Sequence, residues 1–320
     1  MSAVDTLLQK TEALGWRVAV VPYARRAEAI QVIVNRHERG EFDEGFYQEY
    51  LAPMFSEPLP EAPTPRSLIL VAVPDRAVRM QFTLDGETFP VMTAPGYVRA
   101  PEPRPSAAIA ETLSPFGHSI APASAPLKTL GTISGFSRYG RNNISYVPGL
   151  GSFVALAAFI SDLERDDSPA QAQETLPHCA PCHACRSACP TGAIGEDRFL
   201  LHAERCITFW NEKDPDVPFP DWIEPDWHNA LFGCLHCQRV CPENRPLLGR
   251  VFEGPTFDEA TTRLLLSGPK KEDLPPELVS VLDPWRLTDL LGYLPRNLGV
   301  LVKKEMLRRE RREKRKGDGQ

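Results

Sequence analysis

Eight cysteines are the residues of this chain whose type and spacing could support chemistry, and all of them lie between positions 179 and 241. The first group follows the pattern C-x2-C-x2-C-x3-C-P and contains Cys179, Cys182, Cys185 and Cys189. The second group begins with Cys206 and continues after an insertion with Cys234, Cys237 and Cys241. Its last three cysteines repeat the C-x2-C-x3-C-P ending.

This spacing is that of the bacterial ferredoxin run, whose thiolates hold [4Fe–4S] clusters and whose fourth cysteine ligates the other cluster. If the last cysteine of each group ligates the cluster of the other group, the first cluster is bound by Cys179, Cys182, Cys185 and Cys241. The second cluster is then bound by Cys189, Cys206, Cys234 and Cys237. We therefore predict a metal-binding, ferredoxin-like segment with two [4Fe–4S] clusters, which would transfer single electrons.

Zinc binding and disulfide formation are the two other chemistries that these cysteines could support. Zinc also binds C-x2-C pairs, and His183 and His236 lie between the cysteines, but zinc does not explain two C-x3-C-P endings. Disulfide scaffolds spread their cysteines along short secreted chains. The crowding of all eight cysteines into one stretch of 320 residues favours the clusters over both alternatives.

The overall composition excludes some classes of protein. With 42% hydrophobic residues the chain can bury a core, and its length suggests about two domains. It has no run of about 18 apolar residues and no secretory pattern at its start, so we expect a cytoplasmic protein with no membrane partner. The net charge of −6 argues against a general nucleic-acid binder, although residues 303–316 hold nine Lys/Arg and three Glu.

Hydrophobic patterning predicts the elements that position the cysteines. Helices are expected over 5–14, 27–34, 106–113 and 127–134, and strands over 16–22 and 67–73, with a hairpin turning at Asp85-Gly86. Residues 153–162 could form a strand or a helix, and short helices over 264–291 should end at Gly292. The predicted fold is an α/β (α+β) domain over 1–165, a ferredoxin-like domain with two clusters over 166–250, and a helical region with a basic tail over 251–320.

Further motifs make the chain resemble the epoxyqueuosine reductase-like double-cluster family. They are Cys206-Ile207, the FGCLHCQRVCP segment of residues 232–242, the PLKTLGTISGFSRYGRN segment of residues 126–142, Gly151-Ser152-Phe153, and the LPRNL segment of residues 294–298. The resemblance covers residues 126–300, whereas residues 1–125 match only in their α/β pattern. Reductive dehalogenases are more distant relatives.

The resemblance implies an iron–sulfur oxidoreductase that binds a cobalamin between its α/β and ferredoxin-like domains. Its clusters would pass electrons to cobalt from reduced ferredoxin, flavodoxin or another donor, and the family's substrate is an epoxide on a tRNA base. Within the matched segment, Arg141 and Asn142 are the candidate cofactor-binding residues.

One departure from the family concerns the proton donor. Epoxyqueuosine reductases carry an acidic donor just before the matched segment, where residues 121–126 of this chain read APASAP and contain no acid. The Ser124 hydroxyl is a poor acid near neutral pH, so Tyr139 becomes the candidate catalytic residue, with Tyr146 and His118 nearby in sequence. The alternative function is a ferredoxin-type electron-transfer protein that serves a partner corrinoid enzyme and has no substrate of its own.

Two segments outside these motifs each have two interpretations. The Trp-rich insertion of residues 210–227 lies between cluster ligands and should shield a cluster from water, with a substrate lid as the alternative. The basic tail could bind tRNA phosphates or form a solvated helix.

Overall fold

A computed structural model describes residues 1–56, 63–98, 103–165 and 175–317. The chain forms two compact units. The first comprises Met1–Asp75, Pro101–Glu204 and Val240–Leu247, and the second comprises Arg76–Ala100, Arg205–Arg239 and Leu248–Gln320. These units group residues by contact in space, and the division at residues 165 and 250 remains a prediction from the sequence. Within the described part of the chain, no helix combines the length and apolar character needed to cross a bilayer.

Nine strands and eleven helices are numbered in chain order within the described residues. The strands are β1 (Arg17–Pro22), β2 (Ser67–Pro74), β3 (Ala77–Leu84), β4 (Glu87–Thr93), β5 (Ile120–Pro122), β6 (Arg138–Tyr139), β7 (Ser145–Tyr146), β8 (Val154–Ser161) and β9 (Val251–Phe257). The helices are α1 (Ala3–Ala13), α2 (Arg25–Glu38), α3 (Glu44–Phe46), α4 (Pro105–Leu113), α5 (Leu127–Ile133), α6 (Ala184–Ala188), α7 (Ile207–Glu212), α8 (His236–Arg239), α9 (Glu259–Leu266), α10 (Pro276–Leu282) and α11 (Leu294–Gly317).

The first unit is built on a sheet with the strand order β1-β2-β8-β5, in which all neighbours are antiparallel. Successive side chains of β2 point to opposite faces of the sheet. Ile69 and Val71 pack in one core with residues of α1 and α4, while Leu68 and Leu70 pack in another with residues of α2 and α5. Both faces are therefore covered, which explains the continuous apolar sequence of β2.

The sequence of residues 153–162 is compatible with a helix or a strand, and pairing with two neighbouring strands decides between them. This segment forms β8, which pairs with both β2 and β5. Because the segment lies inside the sheet, its last four residues are buried.

The second unit contains the β3–β4 hairpin, whose turn places Asp85 and Gly86 at positive φ, as two-residue hairpin turns require. Strand β9 pairs in parallel with β3, and helices α9, α10 and α11 complete the apolar core. The expected helix end at Gly292 is wrong. A 3-10 segment, Leu287–Tyr293, runs through Gly292 directly into α11.

Candidate metal centre

Four thiols of the first unit influence one another electrostatically. Burial and negative charge on Cys179, Cys241 and Cys182 together raise the pKa of the Cys185 thiol to about 11, although a backbone hydrogen bond from Arg186 acts in the opposite direction. Burial likewise raises the pKa of Cys179, with Cys241 and Cys182 adding to the effect. Thiols that raise one another's pKa stay protonated in the absence of metal. They ionise when a metal binds, because its positive charge offsets the charge of the thiolates, which are the metal-binding form. The residues brought together are the four that the sequence assigned to the first cluster.

The donor set of these four residues fits a cubane. A [4Fe–4S] cluster takes four cysteine thiolates, each on a different iron, so its ligands do not converge on one point. Among the described residues, no group of three or more His, Cys, Asp or Glu side chains has the geometry to hold a single metal ion.

Arg141 binds the main chain of the loop that carries the first cysteines. Its Nε donates to the carbonyl oxygen of Cys182 at 3.0 Å, and its Nη2 donates to the carbonyl oxygen of Cys179 at 2.6 Å and to that of Ala180 at 3.3 Å. The planar guanidinium suits this task because its donors have a fixed fork geometry. Arg141 therefore positions the cysteine loop, whereas the role expected for it was binding a cofactor.

The neighbouring Asn142 is engaged inside its own hairpin, β6–β7. Its side chain is only 2% exposed. The amide Nδ2 donates to the Tyr146 hydroxyl at 3.1 Å, and Oδ1 accepts from the Ile144 N–H at 3.3 Å. A Cβ at Gly140 would lie 2.5 Å from the Tyr146 ring, so this tight turn requires glycine. Arg141 and Asn142 thus both bind groups of the protein, and the cofactor-binding role expected of them stays a prediction.

Tyr139, the candidate catalytic residue, lies in the same hairpin. Its hydroxyl is 3.0 Å from Thr129 Oγ1, and its ring meets the edge of Phe199 with the centroids 5.5 Å apart. The structure shows what holds the tyrosine, but its proposed role as a proton donor stays a prediction.

Asn244 is a buried residue of the site that sequence reasoning missed. It lies in the stretch after Cys241, where its Oδ1 accepts from the Ser152 N–H at 3.0 Å and its Nδ2 donates to Ser152 Oγ at 2.8 Å. Gly151, at a φ of +61°, allows this approach, because a Cβ there would be 2.7 Å from Asn244 Oδ1. The Gly151-Ser152-Phe153 motif therefore anchors the segment that supplies the fourth thiol of the first set.

The second unit holds Cys206, Cys234 and Cys237. Burial raises the pKa of Tyr97, and charges on Glu212, Cys206 and Cys234 raise it further, so two of these thiols act on the same phenol. Tyr97 donates a hydrogen bond to Glu212. Cys189 belongs to the first unit, and its assignment to the second cluster stays a prediction from the sequence.

The LPRNL segment of residues 294–298 binds the Trp-rich insertion. Arg296 donates to four main-chain carbonyls of the insertion, those of Asn211 (3.0 Å), Lys213 (2.8 Å), Asp214 (2.8 Å) and Val217 (2.7 Å). Asn297 Nδ2 donates to the carbonyls of Asn211 at 3.1 Å and Leu231 at 3.0 Å. These contacts hold the insertion on α11, and its expected roles as a shield for a cluster or as a substrate lid both stay predictions.

Comparison with known proteins assigns the cysteine region. The family model of the 4Fe–4S double cluster binding domain matches residues 178–244, which include every cysteine. The chain carries a double-cluster domain. The coarse expectation of a mixed helix and strand fold with this domain is therefore confirmed.

Curated proteins similar to this chain include several epoxyqueuosine reductases. The chain is 32% identical to the epoxyqueuosine reductase of Alicycliphilus denitrificans over 139 residues, which are 43% of this chain and 37% of that protein. It is 36% identical to the Bacillus subtilis epoxyqueuosine reductase over 112 residues, 35% of this chain and 26% of that protein. The matched part thus spans about a third of these relatives, and the resemblance to the epoxyqueuosine reductase-like double-cluster family is confirmed.

Solved structures extend the likeness in fold. The structure of epoxyqueuosine reductase from Bacillus subtilis superposes with a TM-score of 0.61 at 18% identity, covering 94% of this chain and 81% of that one. An epoxyqueuosine reductase crystallised with a tRNA-Tyr epoxyqueuosine-modified stem loop gives a TM-score of 0.60 at 17% identity, with the same coverage. At these identities the likeness shows the fold alone.

Residues 121–126, N-terminal to the double-cluster domain, are held by an arginine. Arg26 donates from Nε to the carbonyl of Ser124 at 2.9 Å and from Nη2 to that of Met54 at 3.2 Å. Further along the same sheet edge, His118 Nδ1 is 3.2 Å from Asp162 Oδ1. Burial would raise the pKa of Asp162, but hydrogen bonds from the Ser119 N–H and from His118 lower it, so this carboxylate is an acceptor near neutral pH.

Proposed function

We propose that this chain is an iron–sulfur oxidoreductase, similar to the epoxyqueuosine reductases, in which two [4Fe–4S] clusters carry electrons one at a time. The observation that carries the proposal is the match of the double-cluster family model to residues 178–244, which include every cysteine of the chain. The first cluster is proposed on Cys179, Cys182, Cys185 and Cys241. The second is proposed on Cys189, Cys206, Cys234 and Cys237.

The bound clusters supply one-electron transfer, and the chain's own residues keep them in place. Arg141 fixes the carbonyls of the first cysteine loop, and Asn244 anchors the chain beside Cys241. Arg296 holds the insertion that follows Cys206. A rigid peptide around each cluster limits the rearrangement that accompanies the gain of an electron, which suits a redox site.

The proposed substrate class is taken from the names of the similar proteins. Their name describes reduction of epoxyqueuosine, and one solved relative binds a modified tRNA stem loop. We propose that this chain reductively cleaves a substrate of that class, drawing electrons from a reduced ferredoxin, flavodoxin or similar donor. In α11, Arg308, Arg311 and Arg312 are more than half exposed, which leaves a basic surface for an RNA backbone, although Arg311 pairs with Asp226 and Arg312 with Glu305.

A second function is favoured by a specific observation. Residues 121–126 contain no carboxyl group, and the backbone of Ser124 is bound by Arg26. Without an acid at this position, the chain would serve as an electron-transfer protein for a partner corrinoid enzyme.

One experiment separates the two functions. Anaerobically purified protein is analysed for iron and cobalt, then incubated with dithionite and an epoxyqueuosine-containing tRNA stem loop. Loss of the epoxide, measured by nucleoside mass spectrometry, supports the reductase. An intact epoxide, no cobalt and a stable redox partner in an anaerobic pull-down support the electron-transfer protein. A cobalt count near one per chain would show that a corrinoid binds and would also favour the reductase.

A further inference from the structure

Lys304 is a buried cation on α11 in the second unit. Its side chain is 8% exposed, and its ammonium donates a hydrogen bond to the main-chain carbonyl of His228. Among the residues that the structure describes, no carboxylate lies within ion-pair distance of this ammonium. A buried charge of this kind is costly unless another charge compensates it.

The segment that Lys304 binds also holds a cysteine loop. His236 Nε2 is 2.9 Å from the carbonyl oxygen of Trp227, and the N–H of Leu235 donates to Asn229 Oδ1 at 3.0 Å. Residues 235 and 236 lie between Cys234 and Cys237. The lysine is therefore bonded to the middle residue of a three-residue segment, and the outer two residues of that segment hydrogen-bond to the two residues between these cysteines.

The electrostatics agree with this geometry. Burial lowers the pKa of the Lys304 ammonium, and the charge on Arg308 lowers it further, whereas Asp226 and the Cys234 thiolate raise it. His228 adds no second charge, because burial, followed by Lys304 and Arg296, lowers its pKa to about 4. The positive charge beside this loop thus comes from Lys304, with Arg239 as a second cation near Cys234, and not from His228.

We propose that Lys304 sets the reduction potential of the second cluster. This inference rests on the proposed function, because it requires the cluster on Cys189, Cys206, Cys234 and Cys237. Reduction adds one negative charge to the cluster, and a nearby buried cation stabilises that form. Lys304 therefore makes this cluster easier to reduce than it would be without the lysine.

The test is a potentiometric titration of the anaerobic, iron-loaded full-length chain, followed by EPR. In the Lys304→Met variant, the ratio of reduced to oxidised second cluster at a fixed potential should fall about tenfold, which is a shift of about 59 mV for a one-electron couple. The potential of the other cluster should not move. Lys304→Arg keeps the charge and should keep both potentials.

The matched control is Lys303→Met, which removes the same charge from the exposed neighbouring position of α11. Solvent and salt screen a surface charge, so both potentials should remain within a small fraction of the Lys304→Met shift. Equal effects of the two substitutions, or no effect of Lys304→Met on an iron-loaded chain, would overturn the proposal.

Iron content distinguishes the other outcomes. If Lys304→Met and Lys304→Gln lose the second cluster while Lys304→Arg retains it, the charge holds the cluster in place instead of setting its potential, and the proposal is overturned. Loss in all three variants would make Lys304 a packing residue and contradict it. If the unmodified chain binds no iron, the proposed function itself fails.

Discussion

Arg141 donates a 3.0 Å hydrogen bond from Nε to the main-chain carbonyl of Cys182. The two residues are 41 positions apart, and the bond joins the glycine-rich hairpin segment to the loop of the first cysteines. A second donor of the same guanidinium reaches the carbonyl of Cys179, so one side chain fixes the start and the middle of the C-x2-C-x2-C run. The basic residue in the family-like segment thus has a structural reason to be arginine.

Replacing Arg141 by glutamine should weaken the first cluster. Glutamine has one donor group in place of the fork, so the carbonyls of Cys179 and Cys182 lose their common partner. On exposure to air, about half of the iron should be lost faster than from the unmodified chain. The decrease in absorbance near 400 nm measures this loss. Arg245→Gln, at an exposed arginine beyond Cys241, is the matched control and should behave like the unmodified chain. Equal iron loss in both variants would show that Arg141 has no such role.

Gly151 and Gly149 offer a matched pair for backbone strain. Both have positive φ, +61° and +79°, but a Cβ at Gly151 would collide with Asn244, whereas at Gly149 it would meet only Arg17 Nη2 at 3.5 Å. Gly149→Ala should cost about 1 kcal/mol from the left-handed backbone alone. Gly151→Ala should cost about 3 kcal/mol, because the hydrogen bonds between Asn244 and Ser152 are also lost. Urea unfolding of both variants measures the difference, and similar values would argue against the Asn244 anchor.

Arg296→Lys should loosen the Trp-rich insertion. Lysine keeps the charge but cannot bind four carbonyls with one planar group. We expect amide hydrogens of residues 211–217 to exchange at least tenfold faster, as measured by mass spectrometry under anaerobic conditions, while β8 in the other unit stays unchanged. Arg308→Lys, at an exposed position of α11, serves as the control. Unchanged exchange in residues 211–217 would mean that other contacts hold the insertion.

His228 makes stability depend on pH. Its folded-state pKa of about 4 lies below the ordinary histidine value of 6.5 because the ring is buried and near Lys304 and Arg296. The unfolded chain therefore takes up a proton first as the pH falls, and stability declines from about pH 6.5 down to about pH 4. Between pH 7 and pH 5 this histidine should account for a loss of about 2 kcal/mol.

The His228→Phe variant tests this prediction. Phenylalanine keeps a ring beside Phe219, whose centroid is 4.5 Å from that of His228, but it cannot take up a proton. Thermal unfolding followed by circular dichroism at pH 7 and pH 5 should show a smaller decrease in Tm for the variant. A decrease of the same size in both proteins would assign the pH dependence to other groups.

The sequence predicted those features that depend on residues close together in the chain. The spacing around Cys179 and Cys234 predicts the double-cluster domain, since cubane ligation demands it. Asp85-Gly86 predicts the hairpin turn, because such turns need positive φ at both residues. The apolar run of β2 predicts a doubly buried strand.

Long-range pairing decided what the sequence left open. Residues 153–162 form a strand because β2 and β5 flank it, and the β3–β4 hairpin belongs to the second unit because β9 pairs with β3. Lys304 reaches His228 across 76 positions, and Asn244 reaches Ser152 across 92. No local periodicity signals such partners. Residues 166–174, at the start of the predicted ferredoxin-like domain, lie outside the described residues.

Direct analysis of the metal content provides the sharpest test of the central claim. The chain, purified without exposure to air, should contain about eight iron and about eight sulfide per molecule, and reduction should give the EPR signals of two [4Fe–4S] clusters. Serine at Cys185 should remove about half of that iron. A colourless preparation, or one that holds zinc in place of iron, would contradict the account.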